Sequence, residues 1–184
     1  MIRFAASVSG LGLLAGLALA PLLVPPPAWA AAEIVIPIRG VSPEGVGAPL
    51  GTLTASDGPD GLVLVPALRG LPPGPHGLHL HQFPSCAPAV KDGHSGAALA
   101  AGGHFDPDAS GAHRGPEQPG HRGDLPRLEV AADGTATAPL RAPRLHLADL
   151  PGHAVVIHQG GDTYADAPQP LGGGGARIAC GVVP

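Results

Sequence analysis

The sequence predicts an all-β domain of short antiparallel strands, arranged as a sandwich or a barrel. Of its 184 residues, 29 are glycine and 24 are proline, the two residue types that form helices least well. About eight short apolar or alternating segments recur between turn signals, and no segment shows a sustained helical periodicity. Many short strands joined by Gly/Pro-rich turns are typical of sandwiches and barrels.

The first thirty residues predict a secretory signal peptide. Residues 1–3 carry one positive charge, residues 4–24 are almost wholly apolar, and residues 28–30 read Ala-Trp-Ala, a small-x-small cleavage pattern. The alternative is an uncleaved membrane anchor, since about twenty apolar residues can span a bilayer. Cleavage is favoured because the Ala-x-Ala pattern directly follows the apolar run. We therefore expect a signal peptide, residues 1–30, and one exported domain, residues 31–184.

The first four predicted strands lie in the N-terminal half of that domain. Residues 33–39 alternate around aliphatic side chains, 50–55 alternate leucine with threonine, and 62–68 are apolar. Two Asp-Gly pairs mark the turn before the third strand. Residues 70–77 are predicted to form a Gly/Pro turn, and 78–83 the fourth strand.

Four further strands are predicted in the C-terminal half. Residues 128–131 and 135–140 flank an Asp-Gly turn and predict a hairpin. Residues 154–158 and 176–183 are apolar and predict the last two strands.

Two long loops, residues 86–124 and 159–175, separate these strands, and the first carries four of the ten histidines. Structureless loops longer than about 15 residues are uncommon and are usually functional or disordered, and the histidines of the first loop favour a functional role. The second loop ends in Gly172–Gly175, which lacks the Gly-Lys-Ser/Thr of a phosphate loop. We expect these glycines to bring Arg177 to a specific place.

Charge and cysteine content narrow the class of protein. The formal net charge is −4, which argues against nucleic-acid binding because such binding depends on a positive surface. The two cysteines are Cys86 and Cys180. A disulfide between them is favoured over two buried free thiols, because exported compartments permit oxidation.

The sequence His79-Leu80-His81 indicates half of a metal site. On a strand, residues i and i+2 point to the same face, so both imidazoles project together and Leu80 projects the other way. The alternative is a pair of surface histidines. By itself the pair does not decide between these interpretations.

The first long loop adds further metal-ligating residues and favours the metal interpretation. Three imidazoles and a carboxylate form a four-coordinate set of the kind that zinc accepts: His104, His113, His121 and Asp124. His158 ends an apolar strand, and Asp162 follows four residues later. Carboxylates placed in this way commonly orient ligating imidazoles.

These residues resemble the copper–zinc superoxide dismutase family, and most closely its bacterial, exported branch. The resemblance covers residues 33–184. It rests on ordered, correctly spaced motifs: Gly77–His81 with Cys86, Gly103–Pro107, His113, Gly120–Leu125, His158, and Gly172–Val182 with Arg177 and Cys180.

The resemblance implies an eight-stranded Greek-key β-barrel with two metals. Copper would be held by His79, His81, His104 and His158. Zinc would be held by His104, His113, His121 and Asp124, so that His104 bridges both metals. Asp162 would link a copper-ligand histidine to a zinc-ligand histidine, Arg177 would hold the anionic substrate beside copper, and Cys86 and Cys180 would form the family disulfide.

The function implied is conversion of superoxide, a small anion, to dioxygen and hydrogen peroxide, with His104 and Arg177 as the catalytic residues. The alternative is an exported protein that buffers copper and zinc without turnover. We expect an exported, periplasmic monomer or homodimer, with no nucleic-acid partner and no membrane association after signal cleavage.

Several residues depart from the family pattern or have no family role. Loop 159–175 contains no Lys or Arg, which leaves Lys91, Arg114 and Arg177 to attract superoxide. Gln82-Phe83-Pro84 stands where Glu and Gly are more usual. His94, His146 and His153 are interpreted as structural or surface residues.

The exported protein should lack tryptophan, because the one tryptophan, Trp29, lies in the predicted signal peptide. Its mass should be that of residues 31–184, and its ultraviolet emission should come from Tyr164 alone. Mass spectrometry and fluorescence of the exported protein check this. Detection of Trp29 in that protein would contradict the cleavage prediction.

Overall fold

The structure is a computed structural model that describes residues 1–2 and 32–184. The chain divides into two compact units, residues 1–30 and residues 31–184, and the predicted signal peptide lies almost wholly outside the described residues. Of the residues that are described, none forms a helix long and apolar enough to span a membrane.

The second unit is all-β, as predicted. Its strands are β1 (Glu33–Ser42), β2 (Gly45–Gly58), β3 (Gly61–Leu68), β4 (Gly74–His76), β5 (Leu78–His81), β6 (Ala89–Lys91), β7 (His94–Gly96), β8 (Leu128–Val130), β9 (Leu140–Ala142), β10 (Ala154–His158) and β11 (Arg177–Val182). Three short 3₁₀ helices occupy Leu99–Ala101, Leu147–Asp149 and Pro170–Gly173.

Seven strands form one antiparallel sheet in the order β5-β10-β11-β1-β2-β3-β9. Strands from opposite ends of the chain are neighbours, with β11 beside β1 and β10 beside β5, as long Greek-key connections require. Two small pairs, β4-β8 and β6-β7, complete the pairing.

Alternation along the strands places one aliphatic face in the core. In β1, Ile36 and Ile38 are fully buried while Val35 is 48% exposed. The same alternation continues in β2 and β3, where Leu53 and Leu64 face inward. The core therefore fills the concave face of the curled sheet, and the opposite face meets solvent.

The predicted C-terminal hairpin differs from the observed pairing. A turn does form, since the Ala131 N–H donates to the Thr135 carbonyl at 2.8 Å. The two arms then separate, because β8 pairs with β4 and β9 pairs with β3. Pairing with an existing strand stabilises each arm more than an isolated two-stranded hairpin would, because such a hairpin is only marginally stable.

Loop 86–124 contains a hairpin that the sequence analysis did not identify. Strands β6 and β7 are joined by Asp92 and Gly93, whose φ values of 53° and 79° are those that a type I′ turn requires. The Asp-Gly pair was an available signal, but its flanking strands have only three residues each.

Strand β5 carries the predicted His-x-His pair, and all four of its residues are buried. Residues His79 and His81 lie opposite β10 in register. The first long loop folds back over this strand: the Leu80 N–H donates to the Gly123 carbonyl at 2.9 Å, and the Phe105 N–H donates to the Leu80 carbonyl at 2.8 Å. Backbone bonds to Leu80 thus bring the histidine-bearing loop against the two histidines of the strand.

Cys86 and Cys180 form a disulfide with a sequence separation of 94, which confirms that prediction. It ties the start of the first long loop to β11. Closing so long a loop stabilises the fold by roughly 4–5 kcal/mol in the chain-entropy account of disulfides.

Replacing Leu80 by alanine should destabilise the metal-free, disulfide-intact protein by about 2–5 kcal/mol, because a fully buried leucine leaves a cavity. Denaturant unfolding measures the free energy. The matched control is Val65→Ala on β3, where the side chain is 41% exposed. Equal losses for the two variants would contradict the assignment of Leu80 to the core.

Candidate metal centre

Four imidazoles meet beside β5. Two come from β5 itself, one ends β10, and one lies in the first long loop: His79, His81, His158 and His104. All are buried, and one nitrogen of each lies within 4.8 Å of one nitrogen of every other. The ring centroids of His79 and His104 are only 4.0 Å apart. Rings packed this closely converge on a common point.

The outward nitrogens of three of these rings have fixed partners. His81 Nδ1 is 3.0 Å from the Gly102 carbonyl, and His158 Nδ1 is 3.1 Å from the Gly175 carbonyl. His79 Nε2 is 2.8 Å from a carboxylate oxygen of Asp162. Each outward N–H therefore donates, which leaves the opposite nitrogen of each ring deprotonated.

The inward nitrogens, His79 Nδ1, His81 Nε2 and His158 Nε2, are buried and have no hydrogen-bond partner. Unpaired buried polar atoms are costly and rare. A metal ion bound between the rings satisfies all of them at once, and imidazole is a good copper ligand. The donor set therefore fits a copper ion.

Burial keeps these rings neutral at physiological pH. Loss of solvent lowers the pKa of His104 to about 4 and that of His158 to about 3. Burial likewise holds the pKa of His81 well below its ordinary value. Neutral imidazoles have the free lone pair that a metal ligand needs.

A second cluster shares His104 with the first and surrounds a carboxylate. Asp124 Oδ1 lies 2.9 Å from Nδ1 of His104, 2.9 Å from Nδ1 of His113 and 3.3 Å from Nδ1 of His121. In tetrahedral zinc sites with bonds of about 2.0–2.1 Å, adjacent ligand atoms are roughly 3.3 Å apart. Three imidazoles and one carboxylate at this spacing fit zinc.

Charge in the second cluster also suits a cation. Burial opposes ionisation of Asp124, but hydrogen bonds from His104 and His113 outweigh it and keep the pKa of the carboxyl below its ordinary value. Burial likewise opposes protonation of His113, yet the carboxylates of Asp124 and Asp162 raise its pKa to about 9. A cation bound here takes the place of the His113 proton.

Asp162 joins the two clusters. Its Oδ2 accepts from His79 Nε2 at 2.8 Å, and its Oδ1 accepts from His113 Nε2 at 2.7 Å. The backbone of Gly172 covers the carboxylate so closely that a Cβ there would collide with Asp162 Oδ1. Both oxygens are used by imidazoles, which makes Asp162 a bridge between ligands.

A cleft of about 510 Å³ opens beside the four imidazoles and is lined by His81, His104, His158, Lys91 and Arg177. Arg177 is held by its backbone neighbours: Nη1 donates to the Ala98 carbonyl and Nη2 to the Gly102 carbonyl, both at 2.6 Å. Of the three cations expected to attract an anion, Arg114 does not line this cleft in the part of the chain that is described.

The other histidines lie outside the two clusters. His94 is exposed on β7, and the His146 side chain is 66% exposed beside Asp57. His153 Nδ1 lies 2.9 Å from the His81 carbonyl.

His76 is buried. Its Nδ1 lies 2.8 Å from the His158 carbonyl, and its Nε2 lies 2.7 Å from the Pro72 carbonyl. Sequence analysis assigned His76 no role, because its partners come from distant or irregular segments.

Comparisons with known proteins agree with a site for copper and zinc. A sequence model of the family described as "Copper/zinc superoxide dismutase (SODC)" matches residues 50–183. The chain is 51% identical over 158 residues to "Superoxide dismutase [Cu-Zn] 1" of Salmonella typhimurium strain LT2, covering 85% of this chain and 89% of the relative. It is 49% identical over 168 residues to "Superoxide dismutase [Cu-Zn]" of Escherichia coli K12, covering 91% and 96%.

Solved structures agree with the fold. The structure matches "Cu/Zn superoxide dismutase from Brucella abortus" with a TM-score of 0.82 and 47% identity, over 83% of this chain and all of that one. It matches the solution structure of the monomeric copper, zinc superoxide dismutase from Salmonella enterica with a TM-score of 0.75 and 50% identity, with the same coverage. The predicted β-barrel fold is thereby confirmed, and the chain belongs to the copper/zinc superoxide dismutase family.

Proposed function

We propose that this protein converts two superoxide anions and two protons to dioxygen and hydrogen peroxide at the paired clusters. The observation that carries the proposal is the set of buried, unpartnered imidazole nitrogens beside an open cleft with a fixed arginine. His79, His81, His104 and His158 are the copper ligands. His104, His113, His121 and Asp124 are the zinc ligands, and Asp162 links the two sets.

Bound copper supplies one-electron redox chemistry, oxidising one superoxide and reducing a second, while zinc supplies a fixed positive charge. The protein contributes a rigid ligand frame, because the outward nitrogens of His79, His81 and His158 are held by a carboxylate or a carbonyl. The rings therefore keep their orientation through the cycle.

His104 is the residue that moves a proton in this proposal. Its Nδ1 faces Asp124, so Nε2, on the opposite side of the ring, belongs to the four-imidazole cluster. Nε2 takes up a proton when the copper side is reduced and donates it to the peroxide formed from the second superoxide. Burial lowers the pKa of this ring to about 4, so the neutral form that can ligate a metal is the favoured one once the proton has left.

Arg177 binds and orients the substrate. It lines the cleft together with three of the proposed imidazole ligands, and two carbonyls fix the position of its guanidinium. Lys91 lines the same cleft. The two cations supply attraction that the net charge of −4 does not.

We also propose where the protein acts and how it associates. The N-terminal segment, residues 1–30, acts as a signal peptide and directs the domain, residues 31–184, to the periplasm. The Salmonella enterica relative is described as monomeric, and for this protein we propose a monomer or homodimer with no nucleic-acid partner.

A superoxide-consumption assay on protein loaded with copper and zinc tests the function. Turnover that depends on copper supports the dismutase. Binding of both metals without turnover would contradict it and would favour the metal-buffer alternative.

Replacing Asp124 by asparagine should reduce zinc affinity by more than the roughly 10–100-fold typical of outer-sphere partners, and should affect copper less. Asp124 is the one carboxylate of the proposed zinc set. Loss of zinc should also lower Tm by several degrees, because a structural metal contributes folding energy. Metal analysis and calorimetry are the measurements.

The control for that variant is Asp108→Asn, since the Asp108 side chain is 55% exposed and pairs with Arg122. Equal loss of copper and zinc in Asp124→Asn, with no change in Tm, would refute the assignment.

Replacing Arg177 by glutamine should lower turnover roughly tenfold or more while both metals stay bound, and should weaken the dependence of rate on ionic strength. The matched control is Arg114→Gln, an exposed arginine outside the cleft. Metal analysis beside superoxide consumption at low and high salt distinguishes them. Full activity with an unchanged salt dependence would show that Arg177 does not guide the substrate.

A further inference from the structure

Tyr164 joins the second long loop to the zinc-ligand segment of the first. It follows Asp162 by two residues, and its side chain is half-buried. Its hydroxyl oxygen accepts a hydrogen bond from the Arg127 N–H at 2.9 Å, across 37 positions of sequence. The hydroxyl therefore contacts the chain three residues beyond Asp124.

The ring of Tyr164 contacts the other end of the same segment. A Cβ at Gly115 would lie 2.6–2.8 Å from three atoms of the tyrosine side chain, so the ring rests on the glycine backbone. Gly115 has a φ of +70°, a backbone conformation that residues with a side chain rarely adopt. One side chain thus contacts the segment from His113 to Asp124 near both of its ends.

The backbone of Tyr164 contacts the bridge between the metal clusters. Its N–H donates to Asp162 Oδ1 at 2.7 Å, the same oxygen that accepts from His113 Nε2. This geometry occurs with Tyr164 at a φ of 58°, a left-handed conformation that is unfavourable for a non-glycine residue and persists only where its surroundings hold it. The contacts of the ring and the hydroxyl provide that hold.

Asp166 adds a second tie between the loops. Its Oδ2 accepts from the His113 N–H at 2.8 Å. The backbone of His113 is thereby fixed by Asp166, while its ring is fixed by Asp162. Tyr164 lies between these two carboxylates in the chain, and it contacts the first loop at Gly115, two residues after His113, and the chain at Arg127, three residues after Asp124.

We infer that Tyr164 is a positioning residue for both metals. Its side chain locks the left-handed turn, the turn presents its N–H to Asp162, and Asp162 sets the orientation of the His79 and His113 rings. The inference rests on the proposed function, because His79 and His113 are there the copper and zinc ligands. It adds a residue that touches neither metal to the machinery that orients their ligands.

Three variants of the exported, disulfide-intact protein test this. Tyr164→Phe keeps the ring and removes the hydroxyl, and Tyr164→Ala removes both. Thr163→Ala is the matched control, since Thr163 is exposed and its backbone partner, the Gly172 carbonyl, is unchanged by the substitution. The readouts are the rate of zinc transfer to a chelator, the Cu(II) EPR spectrum, and exchange of the Arg127 amide in metal-free protein.

Tyr164→Phe should speed zinc transfer and Arg127 amide exchange about fivefold, the size expected for one hydrogen bond. Tyr164→Ala should speed zinc transfer roughly tenfold or more and should shift the copper EPR parameters, because the His79 ring is no longer held by a fixed carboxylate. Thr163→Ala should match the wild type in all three readouts. The phenylalanine variant should keep the wild-type EPR spectrum, since its ring still holds the turn.

Zinc transfer in Tyr164→Ala within twofold of the control, or an unchanged copper spectrum, would overturn the positioning role and leave the proposed function intact. A side chain that only filled space would lower Tm without moving the copper spectrum. Wild-type protein that took up no copper at His79 would instead refute the proposed function, and this inference with it.

Discussion

Contacts between buried carboxylates and imidazoles hold the two long loops against the barrel. Asp124 and Asp162 lie deep in the protein, where an unpaired charge is strongly unfavourable. Each carboxylate is surrounded by ring nitrogens contributed by separate parts of the chain. Apart from the short β6–β7 hairpin, the described loops have no strand pairing of their own, so these polar contacts hold most of their length in place.

The same contacts make the site and the fold interdependent. The proposed ligand rings on strand β5 are fixed by hydrogen bonds to groups in the two long loops, Asp162 and the Gly102 carbonyl. His113 illustrates this, since its ring contacts both carboxylates and its backbone is tied by Asp166. Removal of one member therefore leaves several buried polar groups unsatisfied rather than one.

Much of this arrangement could be predicted from sequence because its signals are local. Alternating or apolar runs identified β1, β2, β3, β5, β10 and β11 of the main sheet, and the i, i+2 spacing placed His79 and His81 on one face. The two clusters were expected from the family resemblance, and the structure brings those residues together.

Features that depend on pairing between distant segments were not predicted. Strand β8 pairs with β4, and β9 pairs with β3, so the expected hairpin does not form. These pairings depend on which distant strands are available, and a short stretch of sequence does not contain that information. His76 and Tyr164 carry no local signal either, since His158, which contacts the His76 ring, and Arg127, which donates to the Tyr164 hydroxyl, lie 82 and 37 positions away.

The carbonyl of Gly102 accepts from both Arg177 and His81, so one backbone atom fixes the cation proposed to bind substrate and a proposed copper ligand together. Evolutionary change in either residue is consequently linked to the other through the path of the chain at this point. Insertions or deletions near residue 102 would move both groups at once. The exposed tip of the β6–β7 hairpin does not fix two such groups together. Variation in substrate attraction among related proteins should accordingly accumulate at that tip, while the length of the chain around Gly102 stays constant.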